Sequence, residues 1–226
     1  MKTIIRVFSI FPSIDGEVNN YHQGHTTTFV RFAGCNFYTE PKSKPCAYCD
    51  TKYALSLDSG QDMTVEEIMK KVQEIGLNKV TITGGEPLLQ FDGFLELTKQ
   101  LYKGGHKVSV ETNGSFPCNG YGVGCWVVDF KLPSSGCMDK MVPVAYKNLA
   151  DQDFVKFVIM NREDYIEALN AKEWIQDKLM ASCQFAFSPA HDKLDPNLLI
   201  SWLLEDKIDA IVNFQLHKVC KLMEKK

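Results

Sequence analysis

The chain has 226 residues, 45% of them hydrophobic and 23% charged, and its formal net charge is −3. This length suits one domain with a full core, so we predict a single domain over residues 1–226. The slight acidity gives no electrostatic case for nucleic acid or an anionic membrane as the main partner. No apolar run reaches the roughly 18 residues that span a bilayer, and Arg6 and Asp15 come too early for a signal peptide, so we expect a cytoplasmic protein.

Short β-rich runs alternate with longer helical patterns along the chain. Several of these runs are almost continuously apolar, which is typical of strands buried on both faces of a parallel sheet. Region 3–10 adds a candidate edge strand. The main candidate strands are residues 27–33, 79–83, 106–111, 125–131, 153–159, 183–188 and 209–216.

The helical patterns carry clear signals at their ends. Residues 64–76 begin with Thr64 as N-cap and Glu67 three residues on, which is a capping box, and they end on Gly76. Another pattern begins with an Asp-Pro pair, which suits the N-cap and N1 positions of a helix. The predicted helices are residues 64–76, 91–105, 162–179 and 195–206.

Repeated βα units imply parallel strands joined by right-handed crossovers. The chain is shorter than a closed eightfold barrel, which takes about 250 residues, and it has room for about six such units. We therefore predict an α/β fold, a partial, open (β/α) barrel with about six parallel strands. The active site is expected at the carboxyl ends of the strands, where the following loops carry function.

Polar and glycine-rich segments follow the predicted strands at this expected edge. They are GGEP (84–87), ETNGS (111–115), DFKLPSSG (129–136), SPAHD (188–192) and QLHK (215–218). Because the carboxyl ends of parallel strands meet at one edge, these segments predict one composite site.

Three cysteines follow the first predicted parallel strand in the segment GCNFYTEPKSKPCAYCDT. Cys35, Cys46 and Cys49 form a C-x10-C-x2-C pattern. An iron–sulfur cubane held by three thiolates leaves one iron open for another ligand. Zinc is the alternative, with His22 or His25 as the fourth ligand of a structural site. The cysteine spacing by itself leaves both open.

These residues resemble the radical S-adenosylmethionine (SAM) superfamily. Its signature is C-x3-C-x2-C with an aromatic residue before the last cysteine, and this chain has Tyr48 there. The TGGEP segment is similar to the second motif of that superfamily. The first gap is longer here, so we predict an insert at residues 36–45 in the cluster-binding loop.

The resemblance narrows to the 7-carboxy-7-deazaguanine synthase family. It extends in order from residue 8 to residue 218, over nearly the whole chain. The segments that carry it are FSIFPSIDGE, FVRFAGCN, CDT, TGGEPLLQ, VETNGS, DFKLPSSG, VKFVI and FQLHK. This family has a partial (β/α) barrel and usually forms homodimers, so the resemblance implies both here.

The resemblance also implies the chemistry. Cys35, Cys46 and Cys49 would ligate a [4Fe–4S] cluster whose fourth iron is chelated by SAM. Reductive cleavage of SAM gives a 5′-deoxyadenosyl radical, which takes hydrogen from C6 of 6-carboxy-5,6,7,8-tetrahydropterin. Ring contraction with loss of ammonia then gives 7-carboxy-7-deazaguanine for the queuosine pathway. An electron donor such as flavodoxin is expected as a partner.

The family pattern carries cofactor-binding roles to particular positions. Thr51 is expected to bind Mg2+ together with the substrate carboxylate, although Asp50 and Thr51 also suit a cap of the next turn. The residues that the resemblance assigns to the cofactor are Tyr48, Gly84, Gly85, Glu86, Glu111, Thr112, Asn113, Ser115, Asp129, Lys131 and Ser134.

The substrate in this family is a planar pterin with a carboxylate. Glu17 can accept from the guanidine-like N–H edge, and Arg31 can bind a carboxylate with two hydrogen bonds or pair with Glu17. Where the family usually has QGEG, this chain has Asp15 in place of Gln and Val18 in place of Gly. The implied substrate-binding residues are Ile14, Asp15, Gly16, Glu17, Arg31, Gly85 and His217.

The remaining cysteines have simpler interpretations. Cys118, Cys125 and Cys137 are irregularly spaced and suit loop and strand thiols, with an auxiliary cluster or zinc as the alternative. Cys183 and Cys220 suit small buried hydrophobic residues.

Two other functions stay open at this point. One is a radical SAM activase that takes hydrogen from a glycine of a partner protein, and the other is a zinc-stabilised binding module without catalysis. The insert suits a lid or a docking surface for the electron donor.

Overall fold

The computed structural model describes residues 3–38 and 44–220, so residues 39–43 of the predicted insert lie outside the described part. Within these residues nine strands form one sheet in the order β3-β1-β2-β4-β5-β6-β7-β8-β9. The strands are β1 (Ile4–Ile14), β2 (Thr26–Phe32), β3 (Gln61–Thr64), β4 (Lys79–Gly84), β5 (Lys107–Thr112), β6 (Cys125–Phe130), β7 (Phe154–Ile159), β8 (Gln184–Pro189) and β9 (Ile211–Val212).

The sheet is parallel from β2 to β9 and stays open. β1 pairs antiparallel with both β2 and β3, so it is not the edge strand that the sequence predicted. From β2 onward every neighbouring pair is parallel. The predicted α/β fold, an open barrel-like sheet of parallel strands, is therefore confirmed, although the predicted strand at 209–216 is only two residues long.

Five helices complete the described residues. They are α1 (Val65–Ile75), α2 (Phe91–Lys103), α3 (Arg162–Leu179), α4 (Pro196–Glu205) and the short α5 (Leu216–Val219). The predicted capping box of α1 is present, since the Thr64 hydroxyl accepts from the Glu67 N–H and the Glu67 carboxylate accepts from the Thr64 N–H at 2.8 Å. None of these helices is long and apolar enough to cross a membrane.

Two of the crossovers lack the α-helix that a repeated βα unit requires. The connection from β5 to β6 is an irregular loop, and the one from β6 to β7 holds only short 3-10 turns. The first loop contains four glycines and a proline, and the second has prolines at 133 and 143, which explains the difference because these residues interrupt helices.

The two faces of the sheet differ in chemistry. Apolar residues of the strands, such as Ile82, Val110 and Phe157, pack with α1 to α4 in one large core on the outer face. On the inner face the strands present many polar side chains, including Lys79, Thr81 and Ser109, all fully buried. The expectation of strands apolar on both faces is therefore wrong for the inner face.

Candidate active site

A cavity of about 370 Å³ lies over the inner face at the carboxyl ends of the parallel strands. Its size falls in the range typical of small-molecule sites. The strands β2 and β4 to β8 all contribute lining residues, and the N-terminal loop and the C-terminal segment contribute others. The composite site predicted from the strand ends is therefore one physical cavity.

The three predicted cluster ligands lie together in the lining. Cys35 and Cys46 are buried in an apolar cluster that also contains Phe37, while Cys49 is half-buried beside them. Burial raises the pKa of the Cys35 thiol to about 11. Burial also raises the pKa of the Cys46 thiol above its ordinary value, and the nearby charge of Lys131 offsets only part of this increase. These thiols are protonated at neutral pH, so binding of a metal group here would release protons.

Tyr48 stands between the cluster-binding loop and β6. Its ring lies 5.7 Å from the Lys131 ammonium, and its buried hydroxyl has no hydrogen-bond partner within the described part of the chain. Lys131 in turn binds Asp129 Oδ2 at 2.5 Å. An unsatisfied buried hydroxyl is costly, so this oxygen is a point of unfavourable burial beside the cavity.

Thr51 begins a 3-10 turn at residues 52–54, but its side chain does not cap that turn. Its hydroxyl oxygen lies 3.7 Å from the Cys49 sulfur and lines the cavity. Asp50 instead pairs with Lys218 of the C-terminal segment at 2.9 Å. Burial alone would raise the pKa of Asp50, but Lys218 holds it below its ordinary value. Thr51 therefore occupies the N-cap position of this turn, as the alternative expected, but its hydroxyl makes no capping hydrogen bond.

The Gly-Gly-Glu segment after β4 packs against the loop that follows β2. A Cβ on Gly85 would lie 2.2 Å from the Gly34 carbonyl oxygen, so only glycine fits there. Gly84 and Gly85 line the cavity, whereas Glu86 is fully buried beneath it. The Glu86 carboxylate accepts from the Asn113 N–H at 2.7 Å and from the Thr112 hydroxyl at 2.8 Å. Glu86 is thus placed to hold the loop after β5 and does not reach the cavity.

That loop forms a polar network beside the first cysteine. The Asn113 amide donates to Asn36 Oδ1 at 2.9 Å and lies 3.8 Å from the Cys35 sulfur. Ser115 accepts from Asn36 and donates to Asn113, but it does not itself line the cavity. Glu111, Thr112 and Asn113 do line it.

Glu111 is the acid of β5 that faces the cavity. The Thr83 hydroxyl donates to its carboxylate at 2.8 Å. Burial and the neighbouring Glu17 raise the pKa of Glu111 to about 7, and Lys156 lowers it in part. Glu111 therefore takes up a proton more readily than an exposed glutamate does.

The predicted substrate-binding residues gather at the other end of the cavity. Ile14, Gly16, Glu17 and Arg31 line it, as does His217. A Cβ on Gly16 would lie 2.0 Å from His217 Nδ1, so glycine lets the imidazole rest on the backbone. The Arg31 guanidinium lies 5.5 Å from the Phe11 ring and donates to the Tyr53 hydroxyl.

Asp15 differs from its neighbours. Its carboxylate is buried and pairs with the fully buried Lys79 of β4, and it accepts from the Thr81 hydroxyl at 2.7 Å. It does not line the cavity. The predicted substrate contact of Asp15 is corrected to an internal ion pair that anchors the N-terminal loop to the sheet.

Ser134 also lies outside the lining. Its N–H donates to Asp164 at 2.9 Å and its hydroxyl accepts from Asn161 at 3.1 Å. The adjacent Ser135 carbonyl accepts from the Ala47 N–H at 3.0 Å, which ties this turn to the cluster-binding loop. The structure therefore places Ser134 as a support of that loop.

Three residues to which the sequence prediction gave no role line the cavity and bind acids of the site through charged or amide groups. Lys156 is buried in β7 and pairs with Glu17 and Asp129. Gln215 donates to Glu17 at 2.7 Å, and Lys218 pairs with Asp50. The only local signal for Lys156 was a charged residue inside the apolar run VKFVI, because alternation along one strand does not fix the register of its neighbour.

The other cysteines are dispersed. Cys118 packs at the large outer core, Cys125 lies on the inner face near Val18, and Cys137 is buried beside Cys35 and Cys46. Because these three cysteines lie in three different clusters, the suggested auxiliary site at Cys118, Cys125 and Cys137 is not assembled. Among the described residues, no three His, Cys, Asp or Glu side chains, Cys35, Cys46 and Cys49 included, are already arranged as the ligands of a single metal ion.

Cys183 and Cys220 have opposite environments. Cys183 is buried at the large core, as expected for a small hydrophobic residue. Cys220 is exposed, so its expected burial is wrong.

An open parallel half-barrel with a three-cysteine loop at the strand ends defines the class of the radical SAM enzymes. The family profile of the radical SAM superfamily matches residues 29–117. The crystal structure of QueE from Escherichia coli has the same fold, with a TM-score of 0.69 and 22% identity over 94% of each chain. The predicted enzyme class is confirmed, and a [4Fe–4S] cluster and SAM are its cofactors.

Two curated relatives define the family. The 7-carboxy-7-deazaguanine synthase of Clostridium acetobutylicum is 33% identical over 221 residues, covering 95% of each chain. The 7-carboxy-7-deazaguanine synthase of Chlorobaculum tepidum is 34% identical over 219 residues, covering 95% of this chain and 93% of its own. The chain belongs to the 7-carboxy-7-deazaguanine synthase family.

Proposed function

We propose that this chain converts 6-carboxy-5,6,7,8-tetrahydropterin to 7-carboxy-7-deazaguanine in queuosine biosynthesis. The observation that carries the proposal is one cavity with a three-thiol end and a charged end, the latter holding Glu17, Arg31 and His217. The activase and zinc-module alternatives are not favoured by the relatives, which share the synthase name along nearly the whole chain.

The thiol end suits an iron–sulfur cluster. Cys35, Cys46 and Cys49 would hold it, and three thiolates leave one iron free for SAM. The apolar surroundings of these thiols exclude water, which suits a reactive group. When bound, the cluster and SAM supply the 5′-deoxyadenosyl radical that removes hydrogen from the substrate. The protein then has to bind, orient and shield the reactants.

SAM would lie between the cluster-binding loop and the ends of β4 to β6. Asn113 offers an amide, Asp129 and Lys131 offer charged groups, and Tyr48 lines the same part of the cavity. Gly84 and Gly85 present backbone without side chains. Glu86, Ser115 and Ser134 act indirectly in this proposal, because they support the loops that carry these groups.

The substrate would occupy the charged end. Glu17 can accept hydrogen bonds from the amino-pyrimidinone edge of the pterin, since each carboxylate oxygen accepts more than one bond. Arg31 is held by Phe11 and Tyr53 and can bind the substrate carboxylate. His217 rests on Gly16 and closes the same end.

Mg2+ would bind at Thr51, whose hydroxyl is not used as a cap. Mg2+ keeps several waters and often takes its other ligands from substrate oxygens, so one protein hydroxyl is enough. The substrate carboxylate is the natural second ligand.

Thr51→Ala is expected to weaken the stimulation of turnover by Mg2+ and to leave SAM binding unchanged. The reason is that the variant loses an oxygen ligand, whereas the Thr51 side chain makes no capping hydrogen bond that would hold the turn. The measurement is the product formation rate as a function of Mg2+ concentration, with Thr51→Ser as the matched control that retains the hydroxyl. An unchanged Mg2+ response in Thr51→Ala would exclude this role.

Reconstitution is the direct test of the proposed function. The protein is loaded with iron and sulfide without oxygen and incubated with SAM, a reductant, Mg2+ and carboxytetrahydropterin. The expected products are 5′-deoxyadenosine and 7-carboxy-7-deazaguanine. Formation of 5′-deoxyadenosine without the deazapurine would refute the substrate and keep the radical chemistry.

The partners are part of the same proposal. A small-molecule substrate and a reductant follow from the superfamily. We add a homodimer and a flavodoxin as electron donor, for which the insert at 36–45 would provide the docking surface. Size measurement in solution and electron transfer from a reduced flavodoxin test these two partners separately.

A further inference from the structure

Lys156 is a buried cation in the middle of the inner face. It lies in β7 opposite Asp129 of β6 on one side and Ala186 of β8 on the other. Its side chain lines the cavity and is 10% exposed. A lysine in this position is expensive to bury, so its contacts must offset the lost hydration.

Those contacts go to two carboxylates. The Lys156 ammonium binds Glu17 Oε2 and lies 3.0 Å from Asp129 Oδ1. The second oxygen of each acid has its own donor, since Gln215 donates to Glu17 Oε1 at 2.7 Å and Lys131 donates to Asp129 Oδ2 at 2.5 Å. Glu17 is therefore fixed by two hydrogen-bond donors from different segments, whereas Asp129 is held by one hydrogen bond from Lys131 and by an ion pair with Lys156.

The charges of this group balance only while Lys156 is present. Burial alone would lower the pKa of Lys156, but Asp129 and Glu17 raise it well above its ordinary value. Burial alone would also raise the pKa of Asp129, but Lys131 and Lys156 hold it below its ordinary value. Glu111 faces the same space, where Lys156 and Arg31 both act on its carboxylate. Without Lys156, Glu17 would lose its ion pair, and Asp129 would keep the one with Lys131.

We infer that Lys156 is a positioning residue: through its contact with Glu17 it fixes the carboxylate that receives the amino-pyrimidinone edge of the pterin. This inference rests on the proposed function and specifies how that site selects its substrate ring. Lys156 contacts two protein carboxylates, and its inferred effect on the substrate is exerted through Glu17, with the substrate carboxylate assigned to Arg31.

This assignment separates two effects that can be measured. If Lys156 acts through Glu17, its loss weakens the binding of every pterin ring, with or without a carboxylate. If Lys156 binds the substrate carboxylate directly, its loss affects only the carboxylated ligand. Pterin-6-carboxylate and unsubstituted pterin are stable fluorescent probes of these two cases.

The experiment measures equilibrium binding of both probes by fluorescence titration to the reconstituted protein with SAM. Lys156→Met is expected to weaken both by the same factor, about tenfold or more, as for a lost hydrogen bond to a charged group. SAM affinity is expected to stay unchanged. Lys156→Met combined with Glu17→Gln should bind pterin no more weakly than Glu17→Gln alone, because the two residues act as one unit.

Two control variants test whether the effect depends on the position and on the charge of Lys156. Lys193→Met removes a positive charge from the exposed rim of the same cavity and leaves the contacts of Glu17 in place, so its effect on pterin should be much smaller. Lys156→Arg keeps the charge and should recover part of the affinity.

Three results would overturn the inference. They are a loss restricted to pterin-6-carboxylate, an equal loss of SAM affinity, and additive effects of Lys156→Met and Glu17→Gln. A wild-type protein that binds neither probe would instead refute the proposed function, and the inference with it. The binding ratios between variants thus distinguish the failure of the inference from the failure of the function.

Discussion

Cys46→Ala is expected to lose the iron–sulfur cluster and all formation of 5′-deoxyadenosine, whereas Cys137→Ala is expected to keep both. Cys137 is a matched control because it is a fully buried cysteine of the same apolar cluster as Cys35 and Cys46. It differs from Cys46 in that the Cys46 side chain lines the cavity and the Cys137 side chain does not. With two thiolates left, a cubane would have two open irons and would not persist.

The measurement is iron and sulfide per chain after anaerobic reconstitution, together with the visible absorption of the cluster. The wild-type protein and Cys137→Ala should each contain about four iron and four sulfide ions per chain, as a [4Fe–4S] cluster requires. Loss of the cluster in Cys137→Ala would show that a fourth thiol is a ligand and would contradict the open iron site. Full iron content in Cys46→Ala would remove Cys46 from the ligand set.

The elements of the fold could be predicted well where their signals are local. The ends of α1 depend on Thr64, Glu67 and Gly76, all close in sequence, and the structure has them as predicted. The strand predicted at 209–216 is only two residues long in the structure, and the cause is a contact with a segment distant in sequence. Asn213 accepts from the Val18 N–H at 3.0 Å and Gln215 binds Glu17, so this segment folds over the N-terminal loop instead of extending the sheet.

The site could be predicted where motifs follow the ends of strands, as for Asn113 and Asp129. It could not be predicted where a charge is paired with a residue distant in sequence. Lys156 lies within the otherwise apolar segment VKFVI, which gives no sign of its role in the site, and its partner Glu17 lies 139 positions away. Asp15 was misassigned for the same reason, because nothing near it in sequence indicates that Lys79 is its partner.

The charged residues of the cavity connect its two ends. Asp50 binds Lys218, which binds Gln215 at 2.5 Å, and Gln215 binds Glu17. Lys156 pairs with both Glu17 and Asp129. Asp129 also pairs with Lys131, whose ammonium lies over the Tyr48 ring. This sequence of contacts begins and ends on the cluster-binding loop. The residues proposed to hold the pterin are therefore tied to the loop proposed to hold the cluster, which suits a reaction that needs both in register.

Lys79→Met is expected to destabilise the protein by about 3–5 kcal/mol, the cost of breaking a buried ion pair by removing one partner. Lys79 is fully buried, and besides Asp15 its ammonium donates to the Thr81 and Ser109 hydroxyls at 3.1 Å each. Methionine fills a similar volume, so the loss is electrostatic. It leaves the Asp15 carboxylate buried with only the Thr81 hydroxyl as its remaining side-chain donor in the described residues.

The measurement is the free energy of unfolding by urea, and the informative comparison is with the double variant that adds Asp15→Asn. Removing both charges leaves no unpaired ion, so the double variant should be more stable than Lys79→Met alone. Such a recovery would be absent if the lysine acted only by filling space. Because Asp15 precedes Gly16 and Glu17, the same pair also holds the start of the proposed pterin site, and Lys79→Met should weaken pterin binding as well as stability.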